Sequence, residues 1–263
     1  MALQDREREI FIYCCKNKAV MPRLLLKFTS VTGVSSENFD KHYFQSLIYS
    51  RLQEIGITNI HEGTKFRFFT FSDFFPSGPM KPGDHKSVIV SSPSAKFIDS
   101  LRESMERSKE VYLGNATLSL AEISAVEFSS SPNAFITGSP VVLYKDNRQN
   151  LYFSMRRGDS LAFFMMRIKE NAVKRYRQYS GDSNFELPHP LFDSAVFNRE
   201  VAVRVSKGKD KFIIIGSAWY KLERFRRQRR DEQFYRFLMD AGLGEKSSLG
   251  FGFLNPLKGD KAA

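Results

Sequence analysis

Cysteine is almost missing: the 263 residues hold two, Cys14 and Cys15, and they are neighbours. Adjacent cysteines rarely close an unstrained disulfide. No disulfide framework is therefore expected, and two adjoining thiols exclude a cysteine-based zinc spacing. This usage suits the cytoplasm. Histidine is scarce as well. His42, His61, His85 and His189 are scattered without paired ligand spacing, so no metal site is expected. Acidic pairs are equally dispersed, which leaves two-metal nuclease chemistry without support and no cofactor in view. Long apolar runs are lacking too. The stretch Ile10–Cys15 is too short to cross a bilayer, and its flank "DRERE" does not read as a signal-peptide start. Neither a targeting segment nor a membrane partner is expected.

What the chain has is positive charge on one side. Its net charge is +11. Residues 1–130 carry 16 Lys+Arg against 15 Asp+Glu, and residues 131–263 carry 24 against 14. A near-neutral first half joined to a basic second half points to a polyanionic partner, nucleic acid before anionic membrane. The 42% hydrophobic and 26% charged content is ordinary for a globular protein. The 25 phenylalanines read mostly as core.

Residues 1–21 read as an extension, either one short amphipathic helix or a disordered segment, and Met21 opens a natural domain start. From there the pattern is strand (23–31), helix (37–55), strands (65–72 and 86–92), helix (93–109) and strand (116–128). In the first helix Phe44, Leu47, Ile48, Leu52 and Ile55 recur at helical spacing, Ser35 and Ser36 offer caps, and Gly56 ends it. Residues 131–263 repeat the order more loosely: "AFITGSPVVLY" and "NLYFSM" as strands, a helix at 159–179, strands "VFNREVAVRVS" and "KFIIIGSAW", a helix at 229–242, and "LGFGFL" as the closing strand. Two βαββαβ units, 22–130 and 131–263 with the boundary near "SSSPN" (129–133), give an α+β fold of two tandem ferredoxin-like (RRM-like) domains.

The string "AGLGEKSSLGFGFLNP" (241–256) packs Gly242, Gly244, Gly250 and Gly252 into eleven residues. Gly242 reads as a left-handed helix C-cap. The string does not read as a P-loop: the G-x-x-x-x-G-K-[ST] register is absent, and no strand leads in or helix out. Glycine lets backbone approach another chain or a phosphate closely, and Lys246, Ser247 and Ser248 lie at the tip. Just upstream come Lys221, Arg224, Arg226, Arg227, Arg229 and Arg230. Such a charge run is ordinary on a solvated face. Beside a glycine-rich turn in a basic half it makes phosphate contact a working expectation.

This string resembles the C-terminal glycine-rich loop of the CRISPR-associated repeat-processing endoribonucleases, members of the repeat-associated mysterious protein superfamily. "SLIYSRLQ", "HEGTKFRFFTFS" and "GSPVVLY" resemble the same family, and the likeness spans roughly residues 22–256. The resemblance implies a tandem ferredoxin-like fold and metal-independent cleavage of CRISPR repeat RNA. In that reaction the RNA's own 2′-hydroxyl attacks the adjacent phosphate, leaving a 2′,3′-cyclic phosphate and a 5′-hydroxyl. The alternative is a non-cleaving RNA-binding or scaffold subunit of a CRISPR ribonucleoprotein. Other effector-complex subunits and a homodimer stay open as partners. A third class, a sheet-based RNA-binding regulator outside CRISPR systems, fits the charge and leaves the glycine pattern unexplained.

Cleavage of this kind needs a base, an acid, and a cation for the charge on the phosphorane. The resemblance assigns the acid/base role to His61, whose residue type titrates near neutrality. Tyr49 is the second candidate, placed near the edge of the first helix's apolar face, with Gln45 and His42 on its side. A phenol is a better acid than base at neutral pH, and His42 stands in reserve. Where the family carries a lysine before its "FTFS"-like strand, this sequence holds Arg67, with Lys65 two residues earlier on the same strand face. Arg67 can hold a phosphate bidentately, and Lys65 could in principle also carry a proton. His85 and His189 read as surface histidines.

Overall fold

The computed structural model describes residues 23–57, 68–126, 132–207, 210–225 and 228–257. The expected extension (1–21) and residues 127–131 of the boundary region lie outside the described residues.

Strand β1 (Arg23–Ser30) alternates cleanly, and its Leu24, Leu26 and Phe28 are fully buried. That period-two pattern makes it the centre of the first sheet. It pairs antiparallel with β3 (His85–Ser91) on one side and β5 (Ala116–Val126) on the other. With β2 (Thr70–Phe71) and β4 (Glu110–Leu113) at the edges, the order is β2-β3-β1-β5-β4. Helices α1 (Lys41–Glu54) and α2 (Ala95–Arg107) cover one face. Phe44, Ile48 and Leu52 of α1 and Ile98, Leu101 and Met105 of α2 close one core against β1.

The second half builds β6 (Ala134–Thr137), β7 (Tyr144–Asp146), β8 (Leu151–Tyr152), α3 (Leu161–Ser180), β9 (Ser194–Lys207), β10 (Asp210–Glu223), α4 (Glu232–Ala241) and β11 (Leu254–Pro256). Its four-stranded sheet runs β11-β6-β10-β9. In each sheet the unit's first strand sits between its last and its third, the ferredoxin-like order, so the tandem fold stands. Strands β7 and β8 form a separate two-stranded ribbon. A second core gathers Phe164, Ile168 and Ala172 of α3, Trp219 of β10, and Phe234 and Leu238 of α4.

Four readings of the sequence are corrected. The helix expected over 37–55 is two pieces. A 3-10 turn, Ser36–Phe39, precedes Asp40, whose extended backbone breaks the run and whose carboxylate, in place of the expected serines, caps α1 through His42 N (2.8 Å). The strand expected over 65–72 pairs, within the described residues, only at Thr70 and Phe71. The strand "LGFGFL" pairs only from Leu254 onward, because the residues before it are held in a loop. A strand not read at all, β4, forms a hairpin with β5.

The two units meet through Arg23, which is 1% exposed. Its guanidinium donates to Leu254 O (2.7 Å) and Met239 O (2.6 Å), lies 4.6 Å from the Phe253 ring and faces Asp240 at 3.7 Å. Ser91 Oγ donates to Asp240 O across the same seam.

Candidate active site

The glycine string leaves α4 at Gly242. The φ there is positive (80°) as expected, but ψ is 168°, so the chain exits extended rather than left-handed helical. Its amides then bond to "GSPVV": Glu245 N to Val142 O, Gly252 N to Pro140 O, and Phe253 N to Ser139 Oγ, at 2.8–2.9 Å. Loop and "GSPVVLY" stretch are thus two sides of one packed unit.

The loop's carbonyls are taken by buried cations and amides. Arg175 of α3, 1% exposed, donates to Ala241 O, Gly242 O, Gly244 O and Ser247 Oγ at 2.7–3.0 Å. From the first unit, Lys41 Nζ donates to Gly250 O (2.7 Å), Gln45 Nε2 to Ser248 O (2.8 Å), and Thr70 Oγ1 to Phe251 O (3.0 Å). Lys41 also holds Asp73 at 2.5 Å. Two glycines are demanded by this packing. A Cβ on Gly250 would lie 2.1 Å from the Phe71 ring, and one on Gly252 would lie 1.8 Å from the Leu243 carbonyl oxygen, both at positive φ.

Lys41, Gln45 and Tyr49 stand at i, i+4 and i+8 on α1, one stripe along the helix. The first two grip the loop, and Gln45 Nε2 lies 3.5 Å from the Tyr49 hydroxyl, too far for a strong bond. Tyr49 sits deeper than expected, 7% exposed, with its ring edge-on to Phe69 at 5.9 Å. His42 gives its backbone N–H to Asp40. His61, Lys65 and Arg67 lie outside the described residues. Their segment joins Ile57, after α1, to Phe68, so Arg67 stands two residues in sequence before the ring that packs on Tyr49.

The basic expectations divide. Arg229 and Arg230 are exposed in a 3-10 turn before α4, and Arg226 and Arg227 lie outside the described residues. Arg224 is corrected: it is 2% exposed, stacks on Tyr235 at 3.9 Å and donates to Pro132 O, so it belongs to the core rather than to the surface row. Ser247 is also buried, held by Arg175. Lys246 and Ser248 are part-exposed, and Lys246, at φ 58°, reaches over the Tyr144 ring. Burial raises the Glu245 carboxyl beside it above the usual carboxylate range. His85 is exposed as expected. His189 is not a free surface histidine: its side chain is 16% exposed and Nε2 lies 2.8 Å from Asp231.

Three residues with structural command of the site went unread. Arg175 continues the buried stripe Phe164, Ile168, Ala172 of α3, and a cation on an apolar stripe is the signal. Lys41 is a cation in a helix's first turn, where the macrodipole disfavours it. Arg23 opens β1 out of phase with the core-facing Leu24, Leu26 and Phe28, on the sheet face it shares with Leu25, Lys27 and Thr29.

Known proteins share this fold. Residues 120–256 match the family model described as CRISPR associated protein Cas6, C-terminal. A CRISPR-associated endoribonuclease Cas6 of Methanocaldococcus jannaschii is 36% identical over 90% of this chain and all of its own length. A solved structure titled CRISPR associated protein Cas6 superposes with TM-score 0.67 at 18% identity, over 90% of this chain and 99% of that one. Another, from a Cas6-related gene of Pyrococcus furiosus, gives 0.65 at 20% identity, over 91% and 99%. With a family model over more than half its length and a full-length relative, the chain belongs to the Cas6 family of CRISPR-associated proteins.

Proposed function

We propose that the protein is an endoribonuclease that processes CRISPR precursor RNA by cutting within the repeats, without a metal. The observation that carries this reading is the stripe Lys41–Gln45–Tyr49, which brings α1 onto the glycine loop. The segment holding His61, Lys65 and Arg67 follows directly from that helix. A positively charged second half and a relative named for endoribonuclease activity support RNA as the substrate.

In the proposed step the 2′-oxygen forms a bond to the neighbouring phosphorus as the bond from phosphorus to the 5′-oxygen breaks. One proton leaves the 2′-hydroxyl and one reaches the departing 5′-oxygen. His61 carries the acid/base work. Tyr49 positions the reacting groups through its hydroxyl or protonates the leaving oxygen. Arg67, with Lys65 near it, balances the charge on the phosphorane. The exposed Arg229 and Arg230 and the part-exposed loop tip at Lys246 and Ser248 hold the RNA backbone, whereas Gly242, Gly244, Gly250 and Gly252 act by shaping that tip.

The test uses purified protein and end-labelled repeat RNA from the encoding genome, in EDTA, beside RNA with one 2′-deoxy at the cut position. A single cut that the 2′-deoxy RNA escapes is the expected result. His61→Ala should slow single-turnover cleavage by about 10²- to 10⁴-fold with binding little changed. Tight binding without any cut would move the protein to the scaffold reading.

A further inference from the structure

The glycine loop is not the only place where the two units meet with polar groups facing each other. Toward the end of β9, Ser206 N donates to Asp40 Oδ2 (2.7 Å) at the N-terminal end of α1, which joins the β9–β10 pair to that helix. Asp40's other oxygen caps the helix. This one carboxylate fixes the hairpin against α1, and between them runs a cleft of about 900 Å³.

Its two walls differ in chemistry. On the hairpin side stand Arg204, Ser206 and Lys211. Ser206 and Lys211 are register partners, and Arg204 lies two residues from Ser206, so all three share one face of the ribbon. Arg204 and Lys211 are exposed, long cations. On the other side stand Asn38, Tyr43 and Asn115. Asn38 donates to Leu113 O and to the Asn115 side chain, which fixes that amide in place. Tyr43 is half-buried. Glu37 also lines the cleft, the one acid there besides the engaged Asp40.

We propose that this cleft is a second RNA-binding track, holding a single-stranded stretch of the substrate outside the glycine loop. Arg204 and Lys211 take the phosphates, and the Asn115 amide and Tyr43 face the nucleosides. Cations on one wall, with amides, hydroxyls and an aromatic edge on the other, are the groups that bind single-stranded RNA. A protein-docking groove would be lined with apolar side chains instead. The track is continuous with the loop. A smaller pocket of about 260 Å³ shares Asp40 and Arg204 with it and is lined by Lys41 and Phe71, which touch Gly250. The inference rests on RNA as the substrate class.

The test measures binding by the intact protein to two labelled RNAs, the 2′-deoxy-blocked repeat and a single-stranded oligouridylate of equal length, across a salt series. The Arg204→Gln/Lys211→Gln double variant should bind both about tenfold more weakly. Each phosphate contact on a single strand contributes about 0.7 to the slope of log affinity against log salt, so the slope should fall by about 1.4. E37Q should bind about two- to threefold more tightly. Unchanged affinity and slope on RNAs that the wild type binds would overturn the track. A wild type that binds and does not cut removes the enzyme reading, and the binding comparison still decides the track. A wild type that binds neither RNA removes both.

Discussion

At Gly250 the loop has no space for a single added carbon. A methyl there would meet the Phe71 ring, at a φ of 77° that costs an L-residue about 1–2 kcal/mol. Overpacking adds about 1–3 kcal/mol. Gly250→Ala should therefore lower stability by about 2–5 kcal/mol, read as a drop in the urea midpoint, and Phe71→Leu in the same chain should recover part of it. If the glycine served only to let phosphate approach, the midpoint would hold and RNA affinity alone would fall. At this scale the sequence was half legible. Four spaced glycines announced a close approach, but not what is approached, because Phe71 and Leu243 are brought there by the fold and not by proximity in the chain. Arg224 shows the converse. In sequence it is one cation among several, and only the packing of Tyr235 under its guanidinium makes it internal.

Single elements carry more than one duty, and α3 is the clearest case. Its stripe Phe164, Ile168, Ala172 fills the second core, and one turn on, Arg175 bonds to four oxygens of the glycine loop. Arg175→Met keeps the volume roughly and leaves those oxygens without their donor, at about 1–3 kcal/mol for each buried group left unmet. The expected outcome is a lower melting temperature with faster amide exchange concentrated in residues 242–252. Exchange that quickens evenly along the chain would mean that Arg175 supports the core and not the loop. Periodicity exposed α1, α2, α3 and α4 because each has an apolar stripe. It failed at β2 and β11. Two or three paired residues have no period to read, and Thr70 within β2 and Phe253 just before β11 spend bonds on the loop and its partner. The 3-10 break at Asp40 hid for a related reason. The apolar spacing runs on through it, while the carboxylate serves both the helix cap and the β9 strand.

For the molecule as a whole, the decisive feature is a buried charge at the seam between the units. Asp240 is 3% exposed, and burial pushes its carboxyl up to about 7, against the pull of Arg23 and Arg236. Burial likewise lowers the Arg23 guanidinium to about 10. The two shifts share one cause, loss of water, which here outweighs the mutual attraction. An acid whose folded pKa lies above its unfolded value contributes stability at low pH and loses it as pH rises through the folded pKa. Stability tied to Asp240 is therefore complete below about pH 4 and declines toward pH 7, while Arg23 stays charged across that window. Urea midpoints taken from pH 4 to pH 8 should show the wild type losing ground to Asp240→Asn over that interval, and the two curves running parallel above it. Curves parallel throughout would mean that Asp240 keeps its charge at the seam. Sequence reading could count the charges and place +10 in the second half, but it could not tell the cations that meet solvent from Arg23 and Arg175, which hold two ferredoxin-like units and their glycine loop in one piece.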